Sequence, residues 1–315
     1  MIRLIQNEWI KIFKRPGTYV MIGLLILMAC TFAGFTKYDE NRQKEPASWQ
    51  RVVQAENAAY EKEMTEGTHL SKDHKDYLQE QIKINEYRLE HNLPADTKMT
   101  TWSFIEENSQ LLSLAGLFMI IIAAGIVAGE YTWGTVKMLL IRPISRPKIL
   151  FSKYAAVVLF GLFMISVLFI VSALIGAVLF GSSETSVHFA YEGGKVVEQN
   201  MFLYLLKIYL MKSVDVFMLA TMAFMISAVF RSSSLAIGIS LFLLFIGTNV
   251  TMLIAMKYEW AKYLLFANTN LLQYENGQTL VDGMTLGFSL AMLAVYYVVF
   301  QLLAFVTFTK RDVAA

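Results

Sequence analysis

Six uninterrupted apolar runs, approximately 19–35, 111–128, 154–180, 207–230, 235–256 and 286–308, constrain this chain more than any other feature. Each approaches the roughly 20 residues that an α-helix needs to cross hydrocarbon. Inside a bilayer only helices and closed barrels satisfy every backbone N–H and C=O group. Barrel strands would be about 10 residues long and would alternate apolar with polar positions, so the continuity of the runs selects helices. With 56% hydrophobic residues over 315 positions, the chain is too apolar for a soluble domain. The expected fold is an all-α polytopic membrane protein with six transmembrane helices.

Charge sets the expected orientation. The segment 129–153, between the second and third runs, carries five basic residues (Lys137, Arg142, Arg146, Lys148, Lys153) against one acid, Glu130. The positive-inside bias assigns such a loop to the cytoplasm. With the N-terminus on the same side, that side collects twelve basic and three acidic residues, and the other side fifteen basic and twenty-two acidic ones. The formal net charge of +2 conceals this asymmetry. Both termini are expected to be cytoplasmic. Within the loop, 132–141 reads as a short helix broken by Pro143, with Pro147 opening the next span. We read 129–153 as a docking element.

Residues 1–16 place Ile2, Ile5, Trp9, Ile12 and Phe13 at helical spacing, with Glu8, Lys11, Lys14 and Arg15 around the other face. This is an amphipathic helix expected in the inner interface, with Trp9 at headgroup depth and the basic side chains toward anionic lipid. The segment 37–110 is polar and offers two helices, 47–66 and 70–91, with Leu70, Tyr77 and Ile84 at heptad spacing; an extracellular helical hairpin is expected. His69, His74 and His91 share no metal-ligand pattern, and no metal site is expected. In the second span Gly116, Ala123, Ala124, Gly125, Ala128 and Gly129 allow close helix approach. Lys212 and Asp215 share a helix face and read either as a polar lining of a substrate path or as a snorkelling lysine with its local partner. The segment 257–285 is too interrupted to span and too apolar for water, which suggests short re-entrant helices in the outer leaflet.

The chain carries no phosphate-binding loop: Gly193-Gly194-Lys195 is followed by Val196, and Phe189 stands where the first glycine would be. There is no HExxH or Gly-x-Ser-x-Gly pattern either. The single Cys30 excludes an internal disulfide and cysteine-rich metal sites. Leu27-Met28-Ala29-Cys30 looks like a lipoprotein processing site, but the apolar run continues past it and five more spans follow, so an uncleaved first span is expected. No enzymatic activity or cofactor is expected of this chain, and no nucleic-acid partner.

Gly129-Glu130, Gly134-Thr135, Leu139-Leu140, Pro143, Ser145-Arg146 and Lys153 resemble the inner loop of the ABC-2 type permeases. The amphipathic start, the six spans and the broken outer segment are similar to that family too. The resemblance implies one transmembrane domain over 1–315, forming the membrane half of an ATP-driven exporter. Two permease chains, identical or related, would pair with two copies of a separate ABC ATPase that binds ATP and Mg2+. It also implies that the inner loop is a coupling helix seated in a groove of that ATPase. Carried onto this sequence, Glu130, Tyr131, Thr132, Trp133, Gly134, Thr135 and Lys137 would form the contact, with Trp133 as apolar anchor and Arg142 and Arg146 as rim charges. The 37–110 insertion departs from the compact members and fits a bacterial subgroup, so the expected location is a bacterial cell membrane, multi-pass. An amphipathic peptide, lipid or drug would be the cargo. Two other readings stay open: a peptide-sensing or immunity protein using the outer hairpin, and an ATP-independent transporter or channel.

Overall fold

The structure is a computed structural model that describes residues 1–42, 48–67, 71–96, 98–135, 144–181 and 187–310. After α1 (Ile2–Phe13), the first span is α2 (Pro16–Arg42). Pro16 suits its first turn, where a missing N–H costs nothing and the fixed φ is already helical. Helices α3 (Trp49–Glu66) and α4 (Lys72–Glu90) pack together as the expected hairpin. Val53, Leu78 and Ile84 are buried, and Asn85 Nδ2 donates to Asn57 Oδ1 at 2.8 Å. Leu70 and His69 lie outside the described residues. His74 Nε2 meets Glu63 Oε1 at 2.9 Å across the hairpin.

The second span is α5 (Thr101–Asn108) running through a 3₁₀ turn into α6 (Leu112–Thr132). The third is α7 (Arg146–Leu179), the fourth α8 (Met201–Phe230), the fifth α9 (Ser233–Ala255) and the last α11 (Leu286–Lys310). The protein is thus an all-α polytopic membrane protein, with six helices among the described residues long and apolar enough to cross a membrane. The second and fourth spans are central, with 67% of their most apolar stretch buried against 17% in α9 and α11. The small residues explain this position: Ala115, Ala123, Ala124 and Ala128 are fully buried, so α6 lies close against α8. The Ser227 hydroxyl of α8 donates to Ala124 O at 2.6 Å and accepts from Ala128 N–H at 2.9 Å, straddling one rung of the α6 backbone ladder.

Three features depart from expectation. The spans outrun their apolar runs by several residues, because a polar helical turn outside hydrocarbon keeps its internal hydrogen bonds. The fourth begins at Met201, capped by the Asn200 side chain, so Lys207, Lys212 and Asp215 belong to one unbroken helix. Between the third and fourth spans, where no regular element was expected, β1 (Val187–Glu192) and β2 (Lys195–Asn200) form an antiparallel hairpin. Its turn residues, Gly193 and Gly194, have φ of +59° and +88°, which L side chains rarely adopt.

The segment 257–285 contains the expected short elements: 3₁₀ turns at Glu259–Tyr263 and Leu271–Tyr274 flanking α10 (Leu265–Asn268). Side chains satisfy its irregular backbone. Asn268 Nδ2 donates to Lys262 O and Leu264 O, each at 2.7 Å, and Gln273 Nε2 donates to Ala267 O at 3.0 Å. Ser289 of α11 donates to Asn268 Oδ1 at 2.7 Å. Such satisfaction is what lets non-helical backbone persist at membrane depth.

Candidate functional site

The inner loop is carried by two helix ends, the C-terminus of α6 and the N-terminus of α7, and α1 lies beside both. An apolar stripe holds α1 there. Ile12 is 1% exposed, and the rings of Trp9 and Phe13 lie 6.0 and 5.3 Å from that of Phe163 in α7. Trp9, expected at headgroup depth, thus packs on protein. This docking carries Glu8 inward, where a lone carboxylate would cost several kcal/mol. Lys153, two turns into α7 and 1% exposed, meets it with Nζ 2.8 Å from Glu8 Oε2.

The Lys153 ammonium also lies 2.8 Å from Glu130 Oε1. Lys11 closes the circuit, 2.8 Å from Glu8 Oε1 and 3.2 Å from Glu130 Oε1. Two acids and two bases from α1, α6 and α7 thus form a neutral ring of ion pairs under the loop. The Thr135 hydroxyl donates to the other oxygen of Glu130, folding the start of the loop back onto α6. Burial opposes the charge on Lys11, but the Glu8 and Glu130 carboxylates outweigh it and raise its pKa above the ordinary lysine value.

This geometry changes the roles of several expected contact residues. Glu130 does not face outward as a docking charge; Lys153 and Lys11 draw its carboxylate into the ring. The Lys11 ammonium turns into the ion-pair ring although 40% of its side chain stays exposed, the Arg15 guanidinium lies 5.4 Å from the centre of the Trp133 ring, and Lys14 is exposed. Tyr131 is half-buried with the Arg231 guanidinium 4.7 Å over its ring. Thr132 Oγ1 donates back to Ala128 O at 3.1 Å. Arg146 donates to Thr309 O at 3.0 Å, tying α7 to the end of α11, so it does structural work beyond a rim charge. Lys137, Arg142 and the remainder of the expected short helix lie outside the described residues.

Trp133 is what the site offers outward. It is 68% exposed, at the C-terminus of α6, and Gly134 follows with φ +69°, turning the chain away. A large exposed ring over a rigid, charge-locked base suits binding rather than bond-making chemistry.

Lys212 and Asp215 share their face but not a bond. Lys212 Nζ donates to Ser109 Oγ at 2.6 Å, while Asp215 accepts from the Thr269 hydroxyl. Both line one cleft beside the start of α6. Glu8 does not stand out in the sequence as a site residue, and Lys153 enters it as one residue of the loop pattern with nothing to pair it with Glu8. The only local signal is the Glu8/Lys11 spacing, one helical turn; partners separated by 145 positions leave no local trace.

A family model described as "Protein of unknown function (DUF2705)" matches residues 77–314, from within α4 to the last helix. Two proteins of Bacillus subtilis (strain 168) are similar to the chain. One, called uncharacterized protein YhcI, is 51% identical over 317 residues, covering 100% of both chains. The other, called uncharacterized membrane protein YdbK, is 29% identical over 223 residues, 70% of this chain and 87% of that relative.

Proposed function

The chain belongs to the DUF2705 family, and we propose that it is the permease subunit of an ATP-driven exporter, turned by a separate ATPase docked on its inner loop. Two permeases and two ATPases would make the working unit in a bacterial cell membrane, with the basic end of the bundle in the cytoplasm. ATP and Mg2+ would belong to the partner, and the cargo would be an amphipathic molecule.

The observation that carries this reading is the ion-pair ring. A loop that only retained positive charge inside would need no buried lysine beneath it. Here Glu8, Lys11, Glu130 and Lys153 bolt α1 and both stems of the loop into one piece, with Trp133 exposed above. A push on the loop therefore moves α6 and α7 together rather than bending the loop. Packed helices respond as near-rigid bodies, so closure of an ATPase dimer below would be felt at the outer ends of both spans.

Co-purification in mild detergent should bring down an ATPase chain, and Trp133→Ala should weaken its attachment. Truncating a buried aromatic anchor costs about 2 kcal/mol or more, roughly thirty-fold in affinity. In the free permease Trp133 is 68% exposed and the Arg15 guanidinium over its ring contributes about 1 kcal/mol or less, so the thermal midpoint should move little. If no ATPase co-purifies, or stimulation of its activity survives Trp133→Ala unchanged, the exporter reading fails.

A second reading, an outer sensor or immunity protein, is favoured by one contact set. The α3–α4 hairpin is fastened to the bundle through β1 and the 257–285 segment: Lys83 Nζ donates to Tyr191 Oη at 2.9 Å, and the Ser71 hydroxyl to Gly277 O at 3.4 Å. A ligand on that hairpin would thus be felt by α8.

A further inference from the structure

Two clefts of about 410 Å³ each enter the bundle where α5 meets α6, and they share Ser113, Asp215, Thr248 and Phe266. One limb is polar, walled by Ser109, Lys212, Thr269 and Asn270. The other is apolar, walled by Leu114, Leu117, Leu219, Leu244 and Phe245. Asp215 stands at their junction. Protein surrounds it on most sides, yet it keeps part of its surface open, and both clefts reach it.

The two charges of the cleft are not equivalent. The Lys212 ammonium is already bonded to Ser109, and Glu106 lies close enough to offset its charge. Asp215 accepts from the Thr269 hydroxyl; Lys212, one helical turn away in the same cleft, gives its ammonium to Ser109 instead of to this carboxylate. A carboxylate within a membrane span is costly and persists where a cation meets it or a path needs it. Its open side gives onto a chamber of ligand size that continues into an apolar channel.

We propose that this cleft binds an amphiphile carrying an ammonium head, the head on Asp215 and the hydrocarbon tail in the limb lined by Leu117, Leu219 and Leu244. An anionic head would meet the Asp215 carboxylate, and a neutral one would leave it uncompensated. The claim that the bound amphiphile is cargo rests on the exporter reading; the binding itself does not.

The test uses the full-length permease in phosphatidylcholine nanodiscs with no ATPase present. The probes are a dodecylamine and a dodecanol carrying the same benzophenone at the tail end, and labelled peptides are mapped by mass spectrometry. In the natural chain the ammonium probe should half-saturate labelling of the cleft-lining peptides of α8 and α9 at least ten times lower than the alcohol. Asp215→Asn should abolish that difference and Asp215→Glu should keep it. Leu244→Trp, which fills the apolar limb and leaves the carboxylate, should lose labelling by both probes. Equal half-saturation in the natural chain overturns the proposal without any variant, as does an undiminished ammonium advantage in Asp215→Asn. Since the discs hold no ATPase, failure here counts against the cleft alone. Failure of an ATPase to co-purify counts against the exporter reading alone.

Discussion

Lys153 is the residue on which the inner end depends most. It is the one member of the ring that touches both acids while being almost wholly buried. Removing one partner of a buried ion pair leaves an uncompensated charge, which costs about 3–5 kcal/mol. Lys153→Met should therefore lower stability by about that amount, read as a fall in thermal midpoint in detergent. Lys11→Met should cost about 1 kcal/mol or less, since 40% of that side chain is exposed and water screens it. The double change Glu8→Gln with Lys153→Met should recover part of the loss, because it removes a stranded charge. If Lys11 and Lys153 prove equally tolerant of methionine, the ring is not a buried joint. Legibility at this scale is uneven. The loop could be picked out by its basic excess between two apolar runs, and Trp133 within it only through the resemblance to the ABC-2 type permeases. Glu8 reads as one more polar residue on an amphipathic face, and only the docking of α1 on α7 turns it inward.

Among the elements, the β-hairpin connects cap to bundle. Phe189 packs beneath the Arg88 guanidinium, 4.7 Å from its ring centre, and His188 stacks on Tyr204 of α8 at 3.6 Å between ring centroids. Burial, then the nearby charges of Arg88 and Lys207, against a partial opposing pull from Glu275, press the His188 pKa down to about 4. A base depressed in the folded state binds its proton more readily when unfolded. The stability it contributes is therefore complete above its ordinary value of 6.5 and drains away as pH falls through about 4. Hydrogen exchange over 187–200 should thus accelerate across that window, and His188→Phe should flatten the dependence while keeping the stack. A profile unchanged by His188→Phe would place the titrating group elsewhere. The hairpin's own signal was present in the sequence: two glycines between short alternating stretches, Val187–Glu192 and Lys195–Asn200. Its strands are only six residues long and half polar, so in a chain dominated by apolar helices they resemble a linker. The helical hairpin α3–α4 was easier, because heptad-spaced apolar positions and a glycine turn act over one local stretch.

At the scale of the whole molecule, orientation follows from how charge survives folding. The ring neutralises Lys11 and Lys153, so those two no longer pull the loop toward an anionic surface. Arg3, Lys14, Arg15, Arg146, Lys148, Arg231 and Lys310 remain at the same end of the bundle, against no acid there outside the ring among the described residues. The opposite end holds α3 and α4, which are rich in glutamate and aspartate. Six spans and this polarity were readable from the sequence because hydropathy and lysine-arginine bias are summed over long stretches; which span is central was readable only in part, from the small residues of the second. The surviving basic excess still favours the cytoplasm for the loop. In a Cys30→Ser background, Thr135→Cys should react with a membrane-impermeant maleimide only after the cells are permeabilised, and Tyr191→Cys should react in intact cells. Thr135 lies beside the ring and Tyr191 on the cap, so the two positions report opposite ends of one bundle. Labelling of Thr135→Cys from outside would invert the molecule and set Trp133 where no cytosolic ATPase could reach it.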